Sequence, residues 1–303
     1  MKYIVTGGAG FIGSHITDQL IARGDEVHIV DNFLTGKRER INAKAILNEA
    51  DIRDFPALAP IFSGADGIFH TAAQARMQYS IREPRLTNDI NITGTLNVLL
   101  AARDTRVKRV VYSASSSAYG AKNPMPLHED MPPDPIIPYA IQKRVGEQYC
   151  AMASRFYGVE TVSLRYFNVY GPRQTTASDG PYATVIGIFL EQRQRSAPMT
   201  VVPDGTYRRD FTHVTDIAAA NLLAMASSRV GNGEIINIGT GTNYSVIEVA
   251  RMIGGPWKFI EPRQGEVRET LADIARAKEL LDWSPEVSFE DGISELKKMH
   301  GIA

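Results

Sequence analysis

The feature that most constrains this chain is a glycine-rich turn close to its start. Thr6-Gly7-Gly8-Ala9-Gly10-Phe11-Ile12-Gly13 spaces Gly8, Gly10 and Gly13 as Gly-x-Gly-x-x-Gly. The apolar strand Tyr3-Ile4-Val5 precedes it, and the helical stretch Ile12 to Arg23 follows, with Gly24 as its stop. One glycine lets the chain turn from strand to helix, a second lets backbone approach a pyrophosphate, and a third lets the helix pack on the sheet. The helix N-terminus then offers free N–H groups and a positive dipole end to phosphates. An acid completes the pattern: Asp31 closes the second strand, 18 residues after Gly13. A carboxylate there accepts ribose hydroxyls and repels a 2′-phosphate, which favours NAD over NADP. Lys37 and Arg38 point weakly the other way, but such a pair on a loop is ordinarily just solvated.

Strand and helix patterns alternate onward: strands at Glu26 to Val30, weakly at Ala45 to Asn48, then Gly67 to His70, Val107 to Ser113 and Thr161 to Arg165. Helical spacing covers Leu96 to Ala102 and Tyr139 to Tyr157. This predicts an α/β fold, a Rossmann-type doubly wound parallel sheet. After about Gly171 the pattern loosens, with strands at Met199 to Val202 and Glu234 to Ile238, and helices at Thr215 to Ala226, Ser245 to Ile253 and Ile274 to Leu281. At 303 residues the chain accommodates two lobes, by a guide of about 150 residues per domain. Residues 1–171 are read as the dinucleotide-binding domain. Residues 172–303 are read as mostly a smaller substrate lobe, some segments returning to the large domain.

Bulk properties exclude several classes. The net charge is -1 and the sequence pI near 6.6, so no broad attraction to nucleic acid or anionic membrane is expected. No apolar run approaches the roughly 20 residues that span a bilayer. A single cysteine, Cys150, rules out an intrachain disulfide framework and, with no signal-peptide pattern at Met1-Lys2, points to the cytoplasm. The six histidines lack ligand spacing, so no metal is expected.

Tyr139-Ala140-Ile141-Gln142-Lys143 places a phenol and an ammonium at i and i+4, on one helix face. A nearby cation stabilises phenolate, and moving a tyrosine pKa from near 10 to about 7 takes roughly 4 kcal/mol. Tyr139 can then act as general base toward a substrate hydroxyl. The spacing alone carries little, because amphipathic helices produce it by chance. Its value comes from Val110-Val111-Tyr112-Ser113-Ala114-Ser115, a strand that ends in hydroxyls where parallel sheets bind ligands. Ser115 can bond the same substrate oxygen as Tyr139, whereas Ser116 and Ser117 are equally readable as turn residues.

Together the glycine turn, Ser115 upstream of Tyr119-Gly120, Pro138-Tyr139-x-x-x-Lys143 and Arg165-Tyr166-Phe167-Asn168-Val169-Tyr170-Gly171-Pro172-Arg173-Gln174 resemble the extended short-chain dehydrogenase/reductases acting on nucleotide sugars, and most of all the UDP-glucose (UDP-galactose) 4-epimerases. The resemblance runs nearly the whole chain, to Asp282-Trp283-Ser284-Pro285. It implies NAD as cofactor, held by Gly7, Gly10, Phe11, Ile12 and Gly13 at the pyrophosphate. It puts Asp31, Asn32, Thr35 and Gly36 at the adenosine ribose and Asp51 and Ile52 at adenine. Thr71, Ala72, Ala73, Gln74, Asn91 and Tyr166 fall at the nicotinamide half, with Tyr139 and Lys143. Ser115, Tyr139 and Lys143 match the catalytic trio. For a UDP-sugar substrate it implies Ser115, Ser116, Tyr139, Asn168, Val185, Val202, Arg209, Arg263 and Thr270. Asn168, Arg209 and Arg263 are the implied diphosphate ligands; Arg208 is read as a surface charge. Helices Thr95 to Arg103 and Arg144 to Phe156 resemble those of a homodimer contact.

Two departures bear on specificity. Related 4,6-dehydratases carry an Asp-Glu pair where this chain has Ser116 and Ser117. Thr270 stands where many epimerases have a bulky tyrosine beside the sugar's C2 substituent, which leaves room for an N-acetyl group. The resemblance implies inversion at C4 of UDP-galactose/UDP-glucose, and of N-acetylated forms, through a transient 4-keto sugar. The alternatives are another nucleotide-sugar enzyme of this type (a UDP-glucuronate epimerase, decarboxylase, dehydratase or reductase) and a non-catalytic NAD-binding sensor.

Overall fold

The computed structural model describes residues 1–176, 178, 183–261 and 267–302. Six strands come in turn from the first 166 residues: β1 (Lys2–Thr6), β2 (Glu26–Asp31), β3 (Ile46–Glu49), β4 (Gly67–His70), β5 (Arg109–Ser115) and β6 (Glu160–Tyr166). Four short strands follow, β7 (Val169–Tyr170), β8 (Met199–Val201), β9 (Arg208–Arg209) and β10 (Thr212–His213), and then β11 (Asn232–Ile238), β12 (Tyr244–Ser245) and β13 (Trp257–Phe259). The central sheet has seven strands in the order β11-β6-β5-β4-β1-β2-β3. All its pairings are parallel. This is the doubly wound sheet that the alternation predicts. Its order reverses between β1 and β4, where such sheets open a crevice at their C-terminal edge.

Helices α1 (Phe11–Ala22), α2 (Phe55–Phe62), α3 (Met77–Arg82), α4 (Pro84–Asn88), α5 (Gly94–Asp104) and α6 (Pro138–Tyr157) belong to the same stretch. Later come α7 (Val185–Gln194), α8 (Val214–Ala226), α9 (Val246–Ile253), α10 (Ala275–Leu281) and α11 (Phe289–Met299). One sheet face packs against α1, α8 and α10 through Ile16, Leu20, Ile217 and Leu281. The other packs against α2, α5 and α6 through Leu58, Phe62, Val98, Leu99 and Cys150. A third core joins α7, α9 and α11 around Phe189, Val249 and Phe289. Phe211 and Phe289 stack there with ring centroids 5.1 Å apart.

Several elements lie outside the predicted set. Helix α2 carries Pro56 and Pro60 and is apolar almost throughout, which hides a helical period. Helix α11 has terminal signals: Ser288 caps it, Glu290 and Asp291 sit in its first turn, and Lys297 and Lys298 in its last. Strand β5 runs two residues past the predicted Ser113, to Ser115.

A buried ion pair ties the helix bearing the Tyr-x-x-x-Lys spacing to the sheet. Glu147 of α6 accepts from Arg165 of β6 through both oxygens, at 2.7 and 2.8 Å. Glu147 is 1% exposed and Arg165 2%. The Arg165 guanidinium lies 4.4 Å from the Tyr119 ring centroid. Removing one partner of such a pair strands a buried charge, so Glu147→Ala is expected to lose about 3–5 kcal/mol in urea unfolding. The double variant Glu147→Met with Arg165→Met should recover much of that loss; a single variant as stable as the parent would mean the pair holds nothing.

Candidate active site

The crevice opens into one cavity of about 700 Å³, which runs from the glycine turn to the third core. At its first end the turn fits a pyrophosphate by elimination of side chains. Gly7 has φ +72°, and a Cβ there would meet the Ala72 nitrogen at 2.7 Å. A Cβ on Gly13 would stand 2.3 Å from the Gly7 carbonyl oxygen. No side chain caps α1 at Gly10, and Phe11, Ile12 and Gly13 of its first turn line the cavity. The backbone is thus shaped for a close-lying anion.

Asp31 is held by backbone: it accepts from Ala9 N at 3.0 Å and from Phe33 N at 2.9 Å. Burial still pushes its carboxyl above the usual range. Asp51 is drawn down to about 2, chiefly by Arg53, with a further bond from Asn32 at 2.7 Å. Asn32, Thr35, Asp51 and Ile52 line the same end. Gly36 lies behind Asp31, where a Cβ would meet Oδ1 at 2.7 Å. Lys37 also lines the cavity, whereas Arg38 turns away to Glu49 at 2.6 Å.

Thr71, Ala72, Ala73 and Gln74 continue the wall from the end of β4. Asn91 stands behind that wall. Its Oδ1 accepts from Gln74 N at 2.8 Å, and its Nδ2 donates to Gln74 O at 3.1 Å and to Gln142 at 2.8 Å. Asn91 therefore acts on the pocket through Gln74. His70, buried between Thr6 and Thr95, is pushed down to about 3 and stays neutral. Tyr166 lines the cavity and its hydroxyl pairs with Ser113 and Asn221.

Ser115, at the end of β5, accepts from Ser117 N at 3.2 Å and from Ser117 Oγ at 2.9 Å, which leaves its own hydrogen to give. Tyr139 faces the cavity from the first turn of α6. Burial raises its phenol to about 12, against a hydrogen bond with Ser115 that lowers it. Lys143, one turn on, donates to Ser113 O at 2.7 Å and lies 4.8 Å from the Tyr112 ring centroid. Burial brings it down to about 8. Its ammonium is fixed beneath the cavity floor, not in the cavity lining.

At the far end Ser116, Asn168, Val185, Val202, Arg209 and Thr270 all line the cavity. Asn168 Nδ2 donates to Asp210 O at 3.0 Å and to Thr270 Oγ1 at 3.1 Å, so its Oδ1 acceptor is what its side chain still offers a ligand. Arg209 donates to Arg208 O at 2.9 Å. Arg208 is bound to Asn243 at 2.7 Å and to Glu248 at 3.1 Å, a structural tie more than a surface charge. Arg263 lies outside the described residues. Sequence reasoning missed Phe211 and Val246, cavity walls contributed by short elements of the third core, and Asp210, whose neighbours are distant in the chain.

A Rossmann cradle with a serine, tyrosine and lysine at the sheet edge defines a nicotinamide-dependent enzyme class. The sequence matches the NAD dependent epimerase/dehydratase family over residues 3–239. The chain belongs to that family, and its cofactor is NAD. It is 40% identical to a putative UDP-glucose 4-epimerase of Methanocaldococcus jannaschii, over 97% of this chain and 96% of that protein. It is 37% identical to the UDP-glucuronate 4-epimerase of Thermodesulfobacterium geofontis, over 96% and 93%. A solved UDP-N-acetylglucosamine 4-epimerase from Methanobrevibacter ruminantium, in complex with UDP-N-acetylmuramic acid, superposes with a TM-score of 0.92 at 34% identity, covering 98% and 97% of the two chains.

The buried lysine predicts a conflict between stability and activity. Its folded value of about 8 lies below the ordinary 10.5, so between these the unfolded chain binds the extra proton and stability rises with pH. At pH 7 the charged form costs about 3 kcal/mol, against ~1 kcal/mol from the Ser113 bond. Lys143→Met should therefore stabilise cofactor-stripped protein in urea at pH 7 by about 2 kcal/mol, lose that advantage from pH 8 to 10.5, and abolish turnover. A destabilised variant at pH 7 would refute the assignment of this cost.

Proposed function

We propose that the chain inverts C4 of a UDP-hexose, with UDP-galactose/UDP-glucose and their N-acetylated forms as substrates. The observation that carries this is the placement of acids. Among the described residues, the carboxylates lining the cavity are Asp31 and Asp51, both at the nucleoside end of the cofactor site. Ser116 and Ser117 stand next to Ser115, so no acid pair is at hand there for eliminating water. Proton and hydride transfer at one carbon, the chemistry of an epimerase, needs no such pair. The relatives named for UDP-sugar 4-epimerases support this reading.

When bound, NAD supplies reversible hydride acceptance at the sugar carbon. The chain supplies the rest. Ser115 holds the 4-oxygen, and Tyr139 Oη takes the proton from that hydroxyl and later returns it. Lys143 keeps a positive charge one helical turn away, which favours phenolate. Arg209 grips the diphosphate, as guanidinium does through paired bonds. Phe211 and Val246 of the third core wall the far end of the cavity. The proton that leaves the 4-hydroxyl comes back to it, and the hydride taken from C4 would likewise be returned, so the cycle is redox-neutral. The exposed apolar residues Ile141 and Phe156 on α6 support a homodimer through α5 and α6, which light scattering of the purified protein tests.

Purified protein given UDP-galactose, then UDP-N-acetylgalactosamine, with no cofactor added, should yield the gluco epimers by proton NMR without NADH accumulating. No turnover of either, even with NAD supplied, would overturn the proposal and turn attention to UDP-glucuronate. Thr270→Tyr should cut turnover of the N-acetylated substrate first, by about tenfold or more; equal loss of both would sink the space argument.

A further inference from the structure

We infer that Ser80 is a positioning residue for Tyr139: from a neighbouring helix, its hydroxyl caps the backbone of the residue that carries the phenol. This rests on the reading of Tyr139 as the proton-transfer group and deepens it from the side chain to the frame that aims it.

The start of α6 cannot cap itself. A helix begins with N–H groups that have no partner inside it, and the residue before its first turn ordinarily satisfies one of them with a side-chain oxygen. Here that residue is Ile137, which has no such oxygen and makes no cap bond. Pro138 follows and has no N–H. The first N–H of α6 is therefore that of Tyr139, in buried surroundings where an unpaired backbone group is costly. The helix's own bonds start later, from Ile141 N to Ile137 O at 3.1 Å.

Ser80 of α3 supplies the missing acceptor. Tyr139 N donates to Ser80 Oγ at 3.1 Å, across 59 residues of sequence. Ser80 is 0% exposed. Its one hydrogen is given to Met77 O at 2.7 Å, so toward Tyr139 the oxygen is an acceptor. Ser80 does not itself line the cavity, whereas Met77 and Gln78, on the same short helix, do. At the other end of the tyrosine, Ser115 hydrogen-bonds the phenol. Tyr139 is thus held twice, its backbone from α3 and its hydroxyl from β5. The reach of the side chain is covalently fixed, so a first turn of α6 that drifts carries the phenol away from the substrate hydroxyl. A misplacement of about 1 Å costs on the order of a hundredfold in rate.

The test compares two buried hydroxyls, each bonded to a backbone group of α6. Ser80→Ala removes the acceptor of the Tyr139 N–H. Thr161→Val removes the 2.8 Å bond that Thr161, as fully buried, gives to Cys150 O near the far end of the helix. Purified holoenzyme is assayed with UDP-galactose, UDP-N-acetylgalactosamine or UDP-glucuronate, whichever the parent turns over. In Ser80→Ala kcat should fall about tenfold or more, while KM and the bound NAD, released by acid and quantified, stay within about twofold of the parent. Thr161→Val should keep the parent's kcat. An unchanged kcat in Ser80→Ala overturns the inference, as does an equal fall in Thr161→Val or a fall that tracks lost NAD. The parent carries a second arm that needs no stable variant. With isotope-labelled tyrosine and the signal assigned through Tyr139→Phe, the Tyr139 amide should exchange with heavy water as slowly as helix-interior amides. Exchange as fast as in an exposed loop overturns the inference. A parent that turns over none of the three substrates overturns the proposed reaction instead, and the exchange rate then decides on the Ser80 bond alone.

Discussion

The contact on which the rest depends is the passage of α1 over the Gly7 carbonyl. At Gly13 the clearance is less than any side chain needs. It lets the helix begin almost on top of β1, so the first-turn N–H groups face the crevice where the sheet order reverses. Thr71 secures the neighbouring strand end with a 2.7 Å bond to Thr6 O. The floor of the cavity is therefore backbone, rigid and close, before any side chain acts.

The chemistry is mounted on that floor by groups that are themselves costly to bury. Lys143 sits where a neutral side chain would be more comfortable, tied to Ser113 O. Behind it, Glu147 and Arg165 neutralise each other and lock α6 to β6. Arg165 also backs Tyr119, whose hydroxyl reaches Asn237 of β11 at 2.7 Å. Strands β6 and β11 and helix α6 thus meet around one buried ion pair. Placement of Tyr139 and Ser115 to a fraction of an ångström needs such an over-determined frame.

The sequence is informative where the cause is local. The glycine turn and the Tyr139–Lys143 spacing are decided within a few residues, and both were legible. The strands Thr161 to Arg165 and Glu234 to Ile238 were both legible, but their pairing with each other was not. What stayed hidden depends on tertiary approach. Nothing near Asn91 says that its amide will clamp Gln74, and nothing near Asp210 says that residues 240, 241 and 272 will converge on it. Helix α2 hid because its apolar residues leave no polar face to set a period. Lys37 misled in a milder way: it reads as a solvated loop charge and lies in the cavity wall.

The strand order has a consequence for how the chain is made. β11 pairs with β6 along its length, yet about 65 residues of other structure separate them in sequence. Until the ribosome has delivered residue 238, β6 is an edge strand with unpaired backbone groups and an apolar flank that includes Val162 and Leu164. A nascent chain halted inside that interval would carry a finished cofactor cradle beside an open, adhesive sheet edge. Truncation in this fold therefore threatens solubility first, while the glycine turn and the first turn of α1 are already in place.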